Sequence, residues 1–96
     1  MTKEQATEIK KAIKPIGNFT VYFNSKKGEL RYTVCEWYEG HGYDLTEAKR
    51  AEIKAREQRN IMDILTALRN NGLIPDYRTD FKRYQGFINC RYLILY

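Results

Sequence analysis

The sequence predicts a small α+β domain in the order α-β-β-α-β-β, with a four-stranded, mainly antiparallel sheet carrying both helices on one face. Three observations predict it. Apolar residues recur at helical spacing before Pro15, at two-residue spacing from Asn18 to Tyr38, and at helical spacing again from Leu45 to Asn70. The 96 residues suit one folding unit, residues 1–96, with no linker or internal repeat to divide them. The chain is also 43% hydrophobic with eight Tyr, four Phe and one Trp, too rich in apolar and aromatic residues for a disordered segment.

Each element has its own signals. Thr2-Lys3-Glu4-Gln5 has the form of a capping box, in which the Thr hydroxyl and Gln amide satisfy backbone amides at a helix start. Ala6, Ile9 and Ile13 follow on one face, and Pro15 then ends the helix by removing an N–H and disfavouring helical geometry at Lys14. Phe19, Val21 and Phe23 alternate with Thr20 and Tyr22, and Ser25-Lys26-Lys27-Gly28 supplies turn chemistry before a second run from Leu30 to Tyr38. A four-residue loop between Asn24 and Glu29 sets Phe23 opposite Leu30, Val21 opposite Tyr32 and Phe19 opposite Val34. The other face of this hairpin is then Thr20, Tyr22, Arg31, Thr33, Cys35 and Trp37.

Asp44 and Glu47 read as a second capping box, opening a long helix from about Leu45 to Asn70. Its expected buried stripe is Ala48, Ala51, Ala55, Met62 and Leu65, widened by Ile61, Ile64 and Leu68. Asn71-Gly72 ends it. Gln85-Gly86 reads as a two-residue hairpin turn that pairs Arg83 with Ile88 and Asp80 with Arg91. The last strand, apolar on both faces at Leu93-Ile94-Leu95, belongs inside the sheet.

The residues offer little catalytic chemistry, and a non-enzymatic protein without cofactor or metal is the expectation. The single serine, Ser25, and the single histidine, His41, fall in different loops, so a Ser-His-Asp triad has no frame. Cys35 sits between Val34 and Glu36 on a strand, where a thiol is usually a small buried hydrophobe. Two cysteines are too few for a disulfide scaffold, so reduced thiols are expected. Glu36, Glu39, His41 and Asp44 crowd one loop but match no metal-ligand spacing. A small metal-dependent or toxin-type ribonuclease built on His41 and these acids is the enzymatic alternative. Pro75-Asp76 with Asp80-Phe81-Lys82 imitates a nuclease motif, but three residues between the acids are too few for a strand, a turn and a second strand. No glycine-rich phosphate loop is present.

Binding is better supported. The 17 Lys and Arg against 12 Asp and Glu leave a net charge of +5, the footprint of a nucleic-acid or nucleoprotein partner. The long helix spends much of its charge internally, with Glu52 four residues before Arg56. What remains is a lysine group at Lys10, Lys11 and Lys14 and a cluster of Arg78, Lys82, Arg83 and Arg91 interleaved with Tyr77, Phe81, Tyr84 and Tyr92. Arginine with tyrosine on a sheet suits stacked bases and protein hot spots equally, unless Phe81 and Tyr92 belong to the core. Tyr22, Arg31 and Trp37 on the outer hairpin face, with Tyr38, His41 and Tyr43 in the adjoining loop, complete the expected binding set.

The expected partner is a nucleic-acid-handling protein or nucleoprotein complex. Small size, a Lys-, Tyr-, Ile- and Asn-rich composition and the lack of catalytic groups suggest a phage-borne inhibitor of a host machine, of the anti-CRISPR kind. A direct RNA or single-stranded nucleic-acid-binding module is the alternative. A homodimer that completes a sheet through the C-terminal strand or its neighbour is a further expectation. Without an apolar run of spanning or signal-peptide length, the cytoplasm is the expected location, the host's if phage-encoded, and no membrane partner is expected.

Overall fold

The computed structural model describes residues 1–96. It contains α1 (Lys3–Ile13), a 3₁₀ turn (Lys14–Ile16), β1 (Val21–Asn24), β2 (Glu29–Tyr38), α2 (Glu47–Asn70), β3 (Tyr77–Tyr84) and β4 (Ile88–Leu95). The strands form one antiparallel sheet in the order β1-β2-β4-β3. The expected α+β class and element order therefore hold, and β4 lies inside the sheet. Because β4 has a neighbour on each side, the strand left with a free edge at that end of the sheet is β3.

The Thr2 capping box on α1 is present in both directions, with Gln5 N–H donating to Thr2 Oγ1 and Thr2 N–H to Gln5 Oε1. Ala6, Ile9 and Ile13 are buried as their spacing requires. The first hairpin also keeps its register, Val21 opposite Tyr32 and Phe23 opposite Leu30. Asn24 Oδ1 holds the turn by accepting from the N–H groups of Lys26 and Lys27. Phe19 stays outside the β1 ladder and packs edge-on against Tyr32, with ring centroids 6.2 Å apart.

The core lies between one sheet face and both helices: Ala6, Ile9 and Ile13, then Leu30, Tyr32 and Val34, Ile64 and Leu68, and Leu93 and Leu95. The stripe expected on α2 holds at Ile61, Ile64, Leu65 and Leu68 and fails at its three alanines and Met62. Ala48, Ala51 and Ala55 face solvent and Met62 is 62% exposed, while Ile53, Ile64, Ala67 and Leu68 are buried. Alanine adds little to burial, so the large Ile and Leu side chains set the helix rotation and polar Glu57 and Asn60 are carried to the sheet with them. Asn60 Nδ2 meets the Val34 carbonyl at 2.7 Å. The helix is capped by Thr46 rather than Asp44, its hydroxyl accepting from Lys49 N–H.

Two register features change which face side chains take. Between Thr33 and Cys35 the pairing of β2 with β4 shifts by one residue. Val34 and Cys35 therefore both face the helices: Val34 is in the core, and Cys35 Sγ lies 3.8 Å from the Ile53 carbonyl. Trp37 follows onto the helix side, so Cys35 and Trp37 are not on the open face as expected. At the second hairpin, Tyr84 pairs with Ile88 and Asp80 with Tyr92, one residue off the expected pairing, because Phe87 joins Gln85 and Gly86 in a three-residue loop. That slip turns Arg78, Lys82 and Tyr84 to the open face and Phe81 and Arg83 to the helix side. Tyr92 is buried, but in a small patch on the open face with Cys90 and Ile94.

Leu68→Ala should destabilise the fold by about 2–5 kcal/mol in urea denaturation, as for a fully enclosed leucine, while Ala51→Gln should change it by less than about 0.5 kcal/mol. Burial pushes the Tyr32 hydroxyl up to about 12. Since the folded state then holds its proton more tightly than the unfolded chain, this stabilisation is complete below pH 10 and is lost as pH rises toward 12. Tyr32→Phe should flatten that alkaline limb in a pH series of thermal melts.

Candidate interaction surface

Two tight turns build one end of the sheet. In the first, Gly40 and Tyr43 exchange both backbone hydrogen bonds at 2.9 Å, and the two residues between them have positive φ, His41 at 48° and Gly42 at 89°. In the second, Phe87 N–H donates to the Tyr84 carbonyl at 3.1 Å, with Gln85 at φ 53° and Gly86 at φ 77°. Two consecutive positive φ values give a turn whose twist matches that of paired strands. The turns are tied together by Glu39 N–H donating to the Phe87 carbonyl at 2.9 Å. A side chain at Gly86 would meet His41, since a Cβ there would lie 2.9 Å from Nε2.

This union gathers three rings around Phe87. Tyr43 stacks on it at 5.7 Å and 14°, His41 meets it edge-on at 5.3 Å, and Tyr38 lies 6.1 Å from Phe87 and 6.0 Å from Tyr43. Tyr38 and Tyr43 are each about half exposed, at 48% and 54%. Rings stacked in this way have few rotamers left to lose on binding.

Beneath the rings, on the helix side, a cleft of about 300 Å³ opens between α2 and the sheet, with Trp37, Leu45 and Ile53 among its walls. Trp37 lies 6.0 Å from Phe81, and the Arg91 guanidinium sits 5.2 Å over the Phe81 ring. The arginines here are matched to carboxylates, Arg91 to Glu57 at 3.1 Å and Arg50 and Arg83 to Glu39, while Lys54 on the same wall is in no ion pair. Asn89, fully buried, joins three segments by accepting from Arg83 Nε at 2.6 Å and donating to the Trp37 and Phe87 carbonyls. A buried amide without those partners would be costly.

The open sheet face holds the remaining expected residues. Arg31 lies between Tyr22 and Tyr92, 5.2 and 4.5 Å from their ring centres. Lys82 covers Tyr84, whose hydroxyl meets that of Tyr92 at 2.8 Å. Burial and this contact push the Tyr92 hydroxyl well above its ordinary range. Arg78 grips Glu29 through two bonds of 2.7 and 3.0 Å, which holds the Glu29 carboxyl below its usual range.

The eleven expected binding residues thus divide into three groups. Tyr38, His41 and Tyr43 cluster at the sheet end; Trp37 and Arg91 line the cleft, with Arg83 beside it on Glu39 and Asn89; Tyr22, Arg31, Arg78, Lys82 and Tyr84 occupy the open face. Phe87, on which the first group is built, was missed, although an aromatic residue directly after Gln85-Gly86 is visible in the chain. Glu39, which the sequence places in an acidic loop without metal-ligand spacing, serves as the acceptor for two arginines.

The groups weighed for catalysis do not converge. Cys35 lies beneath α2, where burial raises its thiol above the ordinary range, His41 packs on Phe87, and Ser25 occupies the turn at the opposite end of β2. Glu36 accepts from the Tyr38 hydroxyl, and nowhere do three His, Cys, Asp or Glu side chains gather in a metal-ligating group. Gly86→Ala should cost about 1–2 kcal/mol for the left-handed backbone and also displace His41, while Gly42→Ala, facing open space, should cost the backbone amount alone. The difference is readable as a loss of His41 ring-current shifts in the Gly86 variant only. Against known proteins, no family model, no curated protein and no solved structure matches this chain.

Proposed function

We propose that the protein is a non-enzymatic binding module whose aromatic end docks on a partner protein, and that this partner handles nucleic acid or belongs to a nucleoprotein complex. The observation that carries the reading is the half-exposed ring cluster of Tyr38, His41, Tyr43 and Phe87, held in place by two joined turns. Tyrosine-rich anchors on a fixed frame are what protein hot spots favour. The arginines nearest the rings are engaged by Glu39 and Glu57, and Arg78 by Glu29, so their charge is largely answered before any phosphate arrives. That balance favours a protein over a bare strand.

The nucleoprotein part rests on the net charge of +5 and on Lys10, Lys11, Lys14, Lys26 and Lys27, none of which takes part in an ion pair. Inhibition of a host machine is the specific form of this reading, supported by the same charge and the small size. No helix is long and apolar enough to cross a membrane.

Affinity capture from nuclease-treated lysate, followed by binding measurements with the recovered partner, tests the proposal. Tyr43→Ala and Tyr38→Ala should each weaken that binding by about tenfold or more, as expected of hot-spot rings. Unchanged binding by both variants overturns it. So does saturable, salt-dependent affinity for single-stranded RNA or DNA that is lost with the same substitutions.

A further inference from the structure

β3 is exposed on both faces along all but its last residue, and its outer edge has no neighbouring strand. Asp76 and Tyr96 exchange both backbone bonds at 2.9 Å. Bonded pairs alternate in an antiparallel ladder, so Arg78, Asp80, Lys82 and Tyr84 continue that set toward β4. Tyr77, Thr79, Phe81 and Arg83 direct their N–H and C=O groups outward. One of these groups is already answered locally, since Asp80 Oδ1 accepts from Phe81 N–H at 2.8 Å.

Edges are commonly guarded against pairing by charge, and a guard of one sign repels a second copy. Here the charges on the open face alternate in sign along the strand: Asp76, Arg78, Asp80, Lys82. Reversing that series gives its complement. We propose that β3 is a self-pairing edge that joins two copies of this chain antiparallel about a two-fold axis at Thr79, making one eight-stranded sheet.

The register follows from the side chains. With Thr79 opposite its own copy, Asp76 faces Lys82 on the open face twice by symmetry, giving two new opposite-charge contacts, while Arg78, already held by Glu29, lies opposite a carboxylate, Asp80, rather than a cation. On the helix side, Tyr77 faces Phe81, an aromatic cross-strand pair of the kind that stabilises sheets. These two rings are 53% and 41% exposed in the single chain. Centring the axis on Asp80 would oppose Asp80 to itself and Arg78 to Lys82, all like charges. Centring it on Phe81 gives two Asp80–Lys82 contacts but loses the Tyr77–Phe81 pair. Outward Phe81 N–H exchanges its Asp80 acceptor for the Tyr77 carbonyl of the second copy.

Sedimentation equilibrium over micromolar concentrations should give a species of twice the 11.4 kDa chain mass. Asp76→Lys and Lys82→Asp should each weaken self-association by about tenfold or more, because each sets like charges across the axis twice. Mixed in equal amounts, the two variants should associate with each other, since positions 76 and 82 then face each other with opposite charges on both sides of the axis. Thr79→Cys should form an interchain disulfide on mild oxidation, its paired Cα atoms lying about 5.5 Å apart, and Arg83→Cys should not. The native Cys35 and Cys90 are buried and do not compete. A chain that remains monomeric throughout overturns the proposal, as does a dimer untouched by both charge variants or a mixture that fails to associate.

Discussion

The shift that β2 carries between Thr33 and Cys35 reverses the parity of its side chains, and much of the molecule depends on that reversal. Before it, Leu30, Tyr32 and Val34 fill the core under both helices. After it, Trp37 and Glu39 turn to the same side and meet the first half of α2. An unbroken strand would have sent Trp37 to the open face and left Arg50 and Arg83 without the carboxylate they share. One irregularity thus lets a single strand supply an apolar core at one end and a polar, aromatic cleft at the other.

How much of this was legible in the chain depended on whether local chemistry or packing made the choice. The Thr2 cap, the break at Pro15, the Asn24–Glu29 turn and the interior position of β4 all follow from nearby residues, and all are present. The rotation of α2 does not. Its alanines align with a helical period, but burying them gains little, and Ile53, Ile64 and Leu68 prevail. The bulge in β2 and the one-residue slip at Gln85-Gly86-Phe87 were equally hidden, because each is decided by contacts made across the sheet. Since parity is all or nothing in a strand, each miss moved several candidate residues to the wrong face.

The site was legible as an inventory more than as a place. Sequence singled out Tyr38, His41 and Tyr43 as a loop group, and they do lie together. What joins them is Phe87 from a turn nearly fifty positions along the chain, and only pairing between β2 and β4 brings the two turns into contact. The cationic cluster of Arg78, Lys82, Arg83 and Arg91 was read as one patch, yet alternation divides it between two faces and gives three of its members a carboxylate partner. A net positive chain can therefore present surfaces of nearly balanced charge wherever its arginines are used.

The strand order carries a consequence for how the chain reaches this state. β1 with β2, and β3 with β4, are local hairpins that can close early and independently. The central pairing of β2 with β4 instead sets Leu30 against Leu95, spanning α2 and most of the chain. Loop closure of that length is unfavourable before its contacts reward it. The pairing of β2 with β4 is therefore the contact that closes the longest loop in the sheet, and the same pairing brings the aromatic rings of the two turns together.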